Sequence, residues 1–155
     1  MRGWLVAGLA LSLVACDRPR AASGLDADPF AVRTEGQLAA QISAARNDAA
    51  ASDRRVLLDF IADWCTDCRE VVRLSHLPPA REVIEERYIV VYVEVGRFDR
   101  HRALIAEHHV DRIATLVVLD PDSGDPVART TLEPITGGER GLTAEDLARW
   151  LRDPS

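Results

Sequence analysis

The chain has 155 residues, 47% hydrophobic and 28% charged, enough for one compact domain and too few for two of ordinary size. Its 9 glycines and 8 prolines exclude collagen-like and low-complexity classes. The 25 acidic residues outweigh 19 basic ones, every one of them arginine, for a net charge of −6; with no basic run, nucleic acid is excluded as a partner.

In chain order, Met1-Arg2 is a short basic start and Trp4 to Val14 an apolar stretch. The run falls short of the roughly 20 apolar residues of a membrane span and suits the h-region of a signal peptide. It ends in Leu13-Val14-Ala15-Cys16, which resembles the bacterial lipobox, whose cysteine is lipidated and becomes the first mature residue. The alternative is a plain signal peptide with a coincidental cysteine. A lipid on Cys16 accounts for the odd number of cysteines, three in all, because a free thiol is a liability in an oxidising compartment. Several acyl chains on one cysteine anchor a protein stably, whereas a single chain is marginal. The resemblance implies a signal peptide over 1–15 and a location on the bacterial inner membrane, facing the periplasm. Asp17, directly after the lipid site, is similar to the signal that retains such lipoproteins there. Residues 16–29 mix Pro, Gly, Ala and charge without apolar periodicity and read as a lipidated flexible tether. The domain is expected over 30–155.

Phe30-Ala31-Val32 is a candidate short edge strand, and Gln37 to Ala51 is Ala-rich and helix-favouring. Arg55 to Ile61 is a nearly continuous apolar run, as in a strand covered on both faces. A helix is expected from about Cys65, with Cys68, Val71, Val72 and Ser75 on one side. Pro78-Pro79 interrupts it, and Pro79 suits the opening of a second helix over Ala80 to Arg87. Tyr88 to Val95 is a second central strand, Arg100 to His109 a helix, and Thr115 to Leu119 a third strand. A turn over residues 120–125 leads to a fourth strand near Val127 to Leu132. Thr143 can cap a last helix whose buried stripe is Leu147, Trp150 and Leu151. This order implies an α/β layer fold with a parallel portion and a terminal hairpin.

The chemistry sits at Trp64-Cys65-Thr66-Asp67-Cys68, a C-x-x-C where a strand gives way to a helix. At a helix start, unsatisfied N–H groups and the dipole stabilise a thiolate on the first cysteine. The second lies one turn on, near enough to attack a mixed disulfide. A lone C-x-x-C is also half of a zinc site. No second C-x-x-C is present, so a four-cysteine site within one chain is excluded; His76, His101, His108 and His109 are the available nitrogen donors. Asp59 lies in the middle of the apolar run, where desolvation raises a carboxyl pKa toward the range useful for proton transfer, unless the side chain turns to water or caps a neighbour.

The stretch Val56 to Arg69, VLLDFIADWCTDCR, resembles the active-site strand and helix start of the thioredoxin superfamily. Its A-D-W-C-x-x-C-R form is most similar to the C-terminal thioredoxin-like domain of membrane thiol:disulfide interchange proteins. The resemblance implies a thioredoxin-like α/β fold, a mixed central sheet of 4–5 strands flanked by helices. It further implies Cys65 as attacking thiol, Cys68 as resolving thiol, a reversible Cys65–Cys68 disulfide, Asp59 as the acid handling the proton of Cys68, and Trp64 as the aromatic shielding the disulfide. The loop before the third strand, Arg112-Ile113-Ala114-Thr115, corresponds to the family's substrate-facing cis-proline loop and carries Ala114 in place of the proline. A cis bond before a residue other than proline costs about 2.5–4 kcal/mol, which predicts a trans Ile113–Ala114 bond.

The reading is a membrane-anchored, extracytoplasmic thiol-disulfide oxidoreductase of the protein-disulfide reductase type, a monomer needing no cofactor. Its partners are proteins with disulfides and an upstream membrane electron donor. Two alternatives stand beside it: a metal-binding or metallochaperone lipoprotein using Cys65, Cys68 and a histidine, and a redox-inactive adaptor with the same fold.

Overall fold

The structure, a computed structural model, describes residues 21–136 and 141–155. Cys16 and the signal segment lie outside the described residues. Among those described, no helix is long and apolar enough to cross a membrane.

Helix α1, Glu35–Ala51, begins where Thr34 and Gln37 form a reciprocal capping box, the Thr34 side chain accepting from the Gln37 N–H and the Gln37 side chain from the Thr34 N–H. The continuous apolar run becomes strand β1, Arg55–Ile61, buried at every position after the first. Helix α2, Thr66–Ser75, follows at once. Pro79 then caps helix α3, Ala80–Arg87, which leads into the wholly buried strand β2, Tyr88–Glu94. Helix α4, Arg102–Glu107, strand β3, Thr115–Leu119, and strand β4, Pro126–Thr131, continue the chain. Helices α5, Leu132–Thr136, and α6, Ala144–Arg152, complete it. In α6, Leu147 and Leu151 are buried while Trp150 stays half-buried, and Thr143 forms a second capping box with Asp146.

The four strands form one sheet in the order β2-β1-β3-β4, with β1 and β2 parallel and the other pairs antiparallel. This is the thioredoxin-like architecture. Alternation along β1 sends Leu58 and Phe60 to the face covered by α1 and α4, where the Phe60 ring meets His108. Leu57, Asp59 and Ile61 point to the opposite face. Tyr88 on the neighbouring strand fixes what covers that face, because its hydroxyl donates to the Leu151 carbonyl of α6 at 2.6 Å, and α6 packs with α2 and α3. Asp59 therefore lies on the side of the sheet that carries α2.

Three expectations need correction. Phe30 to Val32 is not a strand: the Phe30 N–H is taken by the Asp28 carboxylate at 3.1 Å in an Asx turn, and Val32 is exposed. The folded body also begins before Phe30. Leu25 is 1% exposed, the Ser23 carbonyl accepts from the Val90 N–H at 2.6 Å, and the Tyr92 hydroxyl donates to the Leu25 carbonyl at 3.1 Å. Gly24 allows this approach, since its φ is +75° and a Cβ there would overlap the Val90 carbonyl. This segment lies along the outer edge of β2, the kind of edge that proteins cover to prevent pairing with another chain. The third correction concerns the Ile113–Ala114 bond, which is cis. It lies directly before Thr115, which pairs with Phe60 across the sheet and whose hydroxyl donates to the Arg112 carbonyl at 2.7 Å.

Candidate active site

Cys65 and Cys68 are joined as a disulfide, with Cα atoms 5.3 Å apart. Cys65 is the N-cap of α2, and its Sγ accepts the Cys68 backbone N–H at 3.1 Å. A sulfur so placed receives both a hydrogen bond and the positive end of the helix dipole, which favour its anionic form once the bond is reduced. Cys65 is 6% exposed and Cys68 fully buried. Both are buried, and Cys65 is the more accessible of the two.

Asp59 is 3% exposed, and its Oδ1 has no hydrogen-bond partner among the described residues. Burial alone pushes its pKa up from 3.8 to about 8. The register places it between Tyr92 on β2 and Leu116 on β3. Tyr92 is itself pushed upward, first by burial and then by the Asp59 charge. Asp59 is thus a buried acid in the middle of the central strand.

Trp64 is 46% exposed and held sideways. Its indole Nε1–H donates to the Gly96 carbonyl at 2.8 Å, and the Arg97 guanidinium lies 5.9 Å from the ring centre. Ile113, Ala114 and Thr115 lead into β3, which runs antiparallel to β1. The loop therefore sits at the end of the sheet from which Cys65 emerges. Ala114 is buried and Ile113 half-buried.

The histidines do not join the cysteines. His76 faces the Val72 carbonyl and Asp26, His101 faces Glu35, and His108 packs on Phe60 with its pKa lowered by burial. Among the described residues no three His, Cys, Asp or Glu side chains gather as a metal site.

Sequence reasoning missed Glu94, a second buried acid at the end of β2, directly opposite Ile61. One of its carboxylate oxygens accepts the Gly96 N–H at 3.1 Å, and the other pairs with Arg100. The signal that singled out Asp59 was available here too, since Glu94 interrupts the apolar run YIVVYVEV.

Comparison with known proteins agrees with the fold. The thioredoxin-like family matches residues 37–121. A disulphide isomerase from Xylella fastidiosa superposes with a TM-score of 0.67 at 24% identity, covering 79% of this chain and 95% of its own. The reduced DsbD C-terminal domain of Neisseria meningitidis gives 0.56 at 23% identity, over 76% and 96%. A thioredoxin from Thermus thermophilus gives 0.53 at 21%, over 81% and 86%. Among curated proteins, none matches the chain.

Proposed function

The chain belongs to the thioredoxin-like family, and from that membership we propose that it is an extracytoplasmic protein-disulfide reductase held to the membrane by a lipid on Cys16. The observation that carries the chemistry is the Cys65–Cys68 pair across the start of α2, with Cys65 Sγ in the N-cap position; the buried Asp59 on β1 supports it.

In the reduced protein the Cys65 thiolate attacks one sulfur of a partner disulfide. A bond forms between Cys65 and that sulfur, the partner's S–S bond breaks, and the second partner sulfur leaves as a thiolate. Cys68 then gives its proton to the Asp59 carboxylate and attacks the Cys65 sulfur. The Cys65–Cys68 disulfide forms, the partner departs as a dithiol, and two electrons have passed to it. Return to the dithiol takes two electrons from a membrane thiol donor, the partner we propose upstream. The named DsbD domain and disulphide isomerase support proteins with disulfides as substrates, and the lipobox-like Leu13-Val14-Ala15-Cys16 supports the anchor and a periplasmic location on the inner membrane.

The test is turnover. With dithiothreitol as electron source, the wild type is expected to reduce insulin well above the uncatalysed rate, and Cys65→Ser to return it to background. A wild type at background with both thiols free would point instead to the redox-inactive adaptor.

A further inference from the structure

We propose that Glu94 is a positioning residue that, through the loop after β2, holds the Trp64 indole beside Cys65 for docking of protein partners. The proposal rests on the disulfide-exchange reading above and adds the residue that sets its recognition surface. The Glu94 side chain is 3% exposed and makes two contacts that a surface acid would not need to make. One carboxylate oxygen accepts the Gly96 N–H and the other pairs with Arg100, so the carboxylate closes the loop at both ends. The carbonyl of the same Gly96 accepts the Trp64 indole N–H at 2.8 Å.

The chain of contacts is short and continuous: Glu94 to Gly96, Gly96 to Trp64, Trp64 to the neighbouring Cys65. The loop has little freedom to reach the indole in another way. Gly96 has a φ of +59°, and a Cβ there would overlap the Asp99 carboxylate, which in turn accepts the Arg97 N–H at 2.9 Å. The Arg97 guanidinium lies 5.9 Å from the centre of the Trp64 ring. The far end is tied to α1, where Glu35 accepts the His101 N–H at 2.9 Å. A half-exposed tryptophan fixed by a buried carboxylate, with a cation beside it, has the composition of an interface anchor rather than of a core residue. Being fixed in advance lowers the entropy lost when a partner docks, so Glu94 acts on recognition and not on the sulfur chemistry.

Glu94→Gln keeps the side chain's shape and an oxygen for the Gly96 N–H but removes the charge that holds Arg100. Expected is a faster solvent exchange of the Trp64 indole N–H, by about ten-fold, read by NMR with Trp64→Phe assigning the signal. The KM for insulin should rise about five-fold with kcat within two-fold, the scale of one weakened charged contact. Exchange with oxidised glutathione, too small to span the indole, should stay within two-fold. In a Trp64→Phe background the same substitution should leave the insulin KM within two-fold. Unchanged indole exchange, an equal loss with glutathione, or an insulin effect that persists without Trp64 would each overturn the proposal. If Glu94→Gln does not fold, Arg100→Gln opens the same pair from its exposed end and is read the same way. A wild type inactive on both disulfides would fail the parent reading alone, because indole exchange is measured without turnover.

Discussion

Asp59 stands against the stability of the fold it serves. Its carboxyl holds a proton up to about pH 8 when folded and releases it near 3.8 otherwise. Between those values the folded state binds the extra proton, so stability falls as pH rises through the window. In urea titrations at pH 5 and pH 8, wild type is expected to lose stability relative to Asp59→Asn as pH rises, on the order of a few kcal/mol. A constant difference between the two would contradict the raised pKa. In the proposed function the same group assists resolution. As a base it must be ionised, so release of the mixed disulfide should speed up as pH passes about 8, and Asp59→Asn should be slow throughout. Cys65, Cys68 and Asp59 were legible because each breaks a pattern: a thiol pair at a helix start and an acid in an apolar strand. Glu94 breaks the pattern in the same way, but its meaning depends on Arg100, Gly96 and Trp64, which only the folded loop brings together. The cis bond at Ala114 was illegible because the local preference points the other way.

At the scale of elements, helix α2 and its cap are one device for structure and chemistry. Cys65, the proposed attacking sulfur, is also the residue that satisfies the Cys68 N–H. Serine can keep that capping contact, whereas alanine cannot. Cys65→Ser and Cys65→Ala both remove the disulfide and the activity, yet the serine variant is expected to be more stable by about 1 kcal/mol in urea unfolding. Equal stabilities would mean that the cap contributes nothing. Strands β1 to β3 were readable from apolar runs and β4 from the turn before it, α2 from the C-x-x-C after β1, and α3 and α6 from their proline and threonine starts. Phe30 to Val32 and α5 were not. The first has strand-like residues whose backbone is captured by an Asx turn, and the second is five residues long, too short for a helical period to emerge. The Thr34 capping box extended α1 two residues ahead of the apolar pattern.

Over the whole molecule, the sheet order puts β1 in the middle and brings Cys65, the loop at Ala114 and the loop after β2 to one end. The segment from Ala21 runs along the β2 edge, so a lipid at Cys16 would hold the domain by a shorter leash than the composition of 16–29 implies. Cys16→Ser is expected to move the protein from the membrane to the soluble fraction or leave it unprocessed. Unchanged partition and size would remove the anchor from the account while leaving the site chemistry intact.

The central claim is that Cys65 attacks and Cys68 resolves. Cys68→Ser, reduced and mixed with a disulfide-bearing protein, leaves the second step without its thiol. The account predicts a covalent adduct of the two chains, mapped by mass spectrometry to Cys65 and released by dithiothreitol. It predicts none with Cys65→Ser, whose remaining thiol at Cys68 is fully buried. No adduct with Cys68→Ser, or as much adduct with Cys65→Ser, would contradict it.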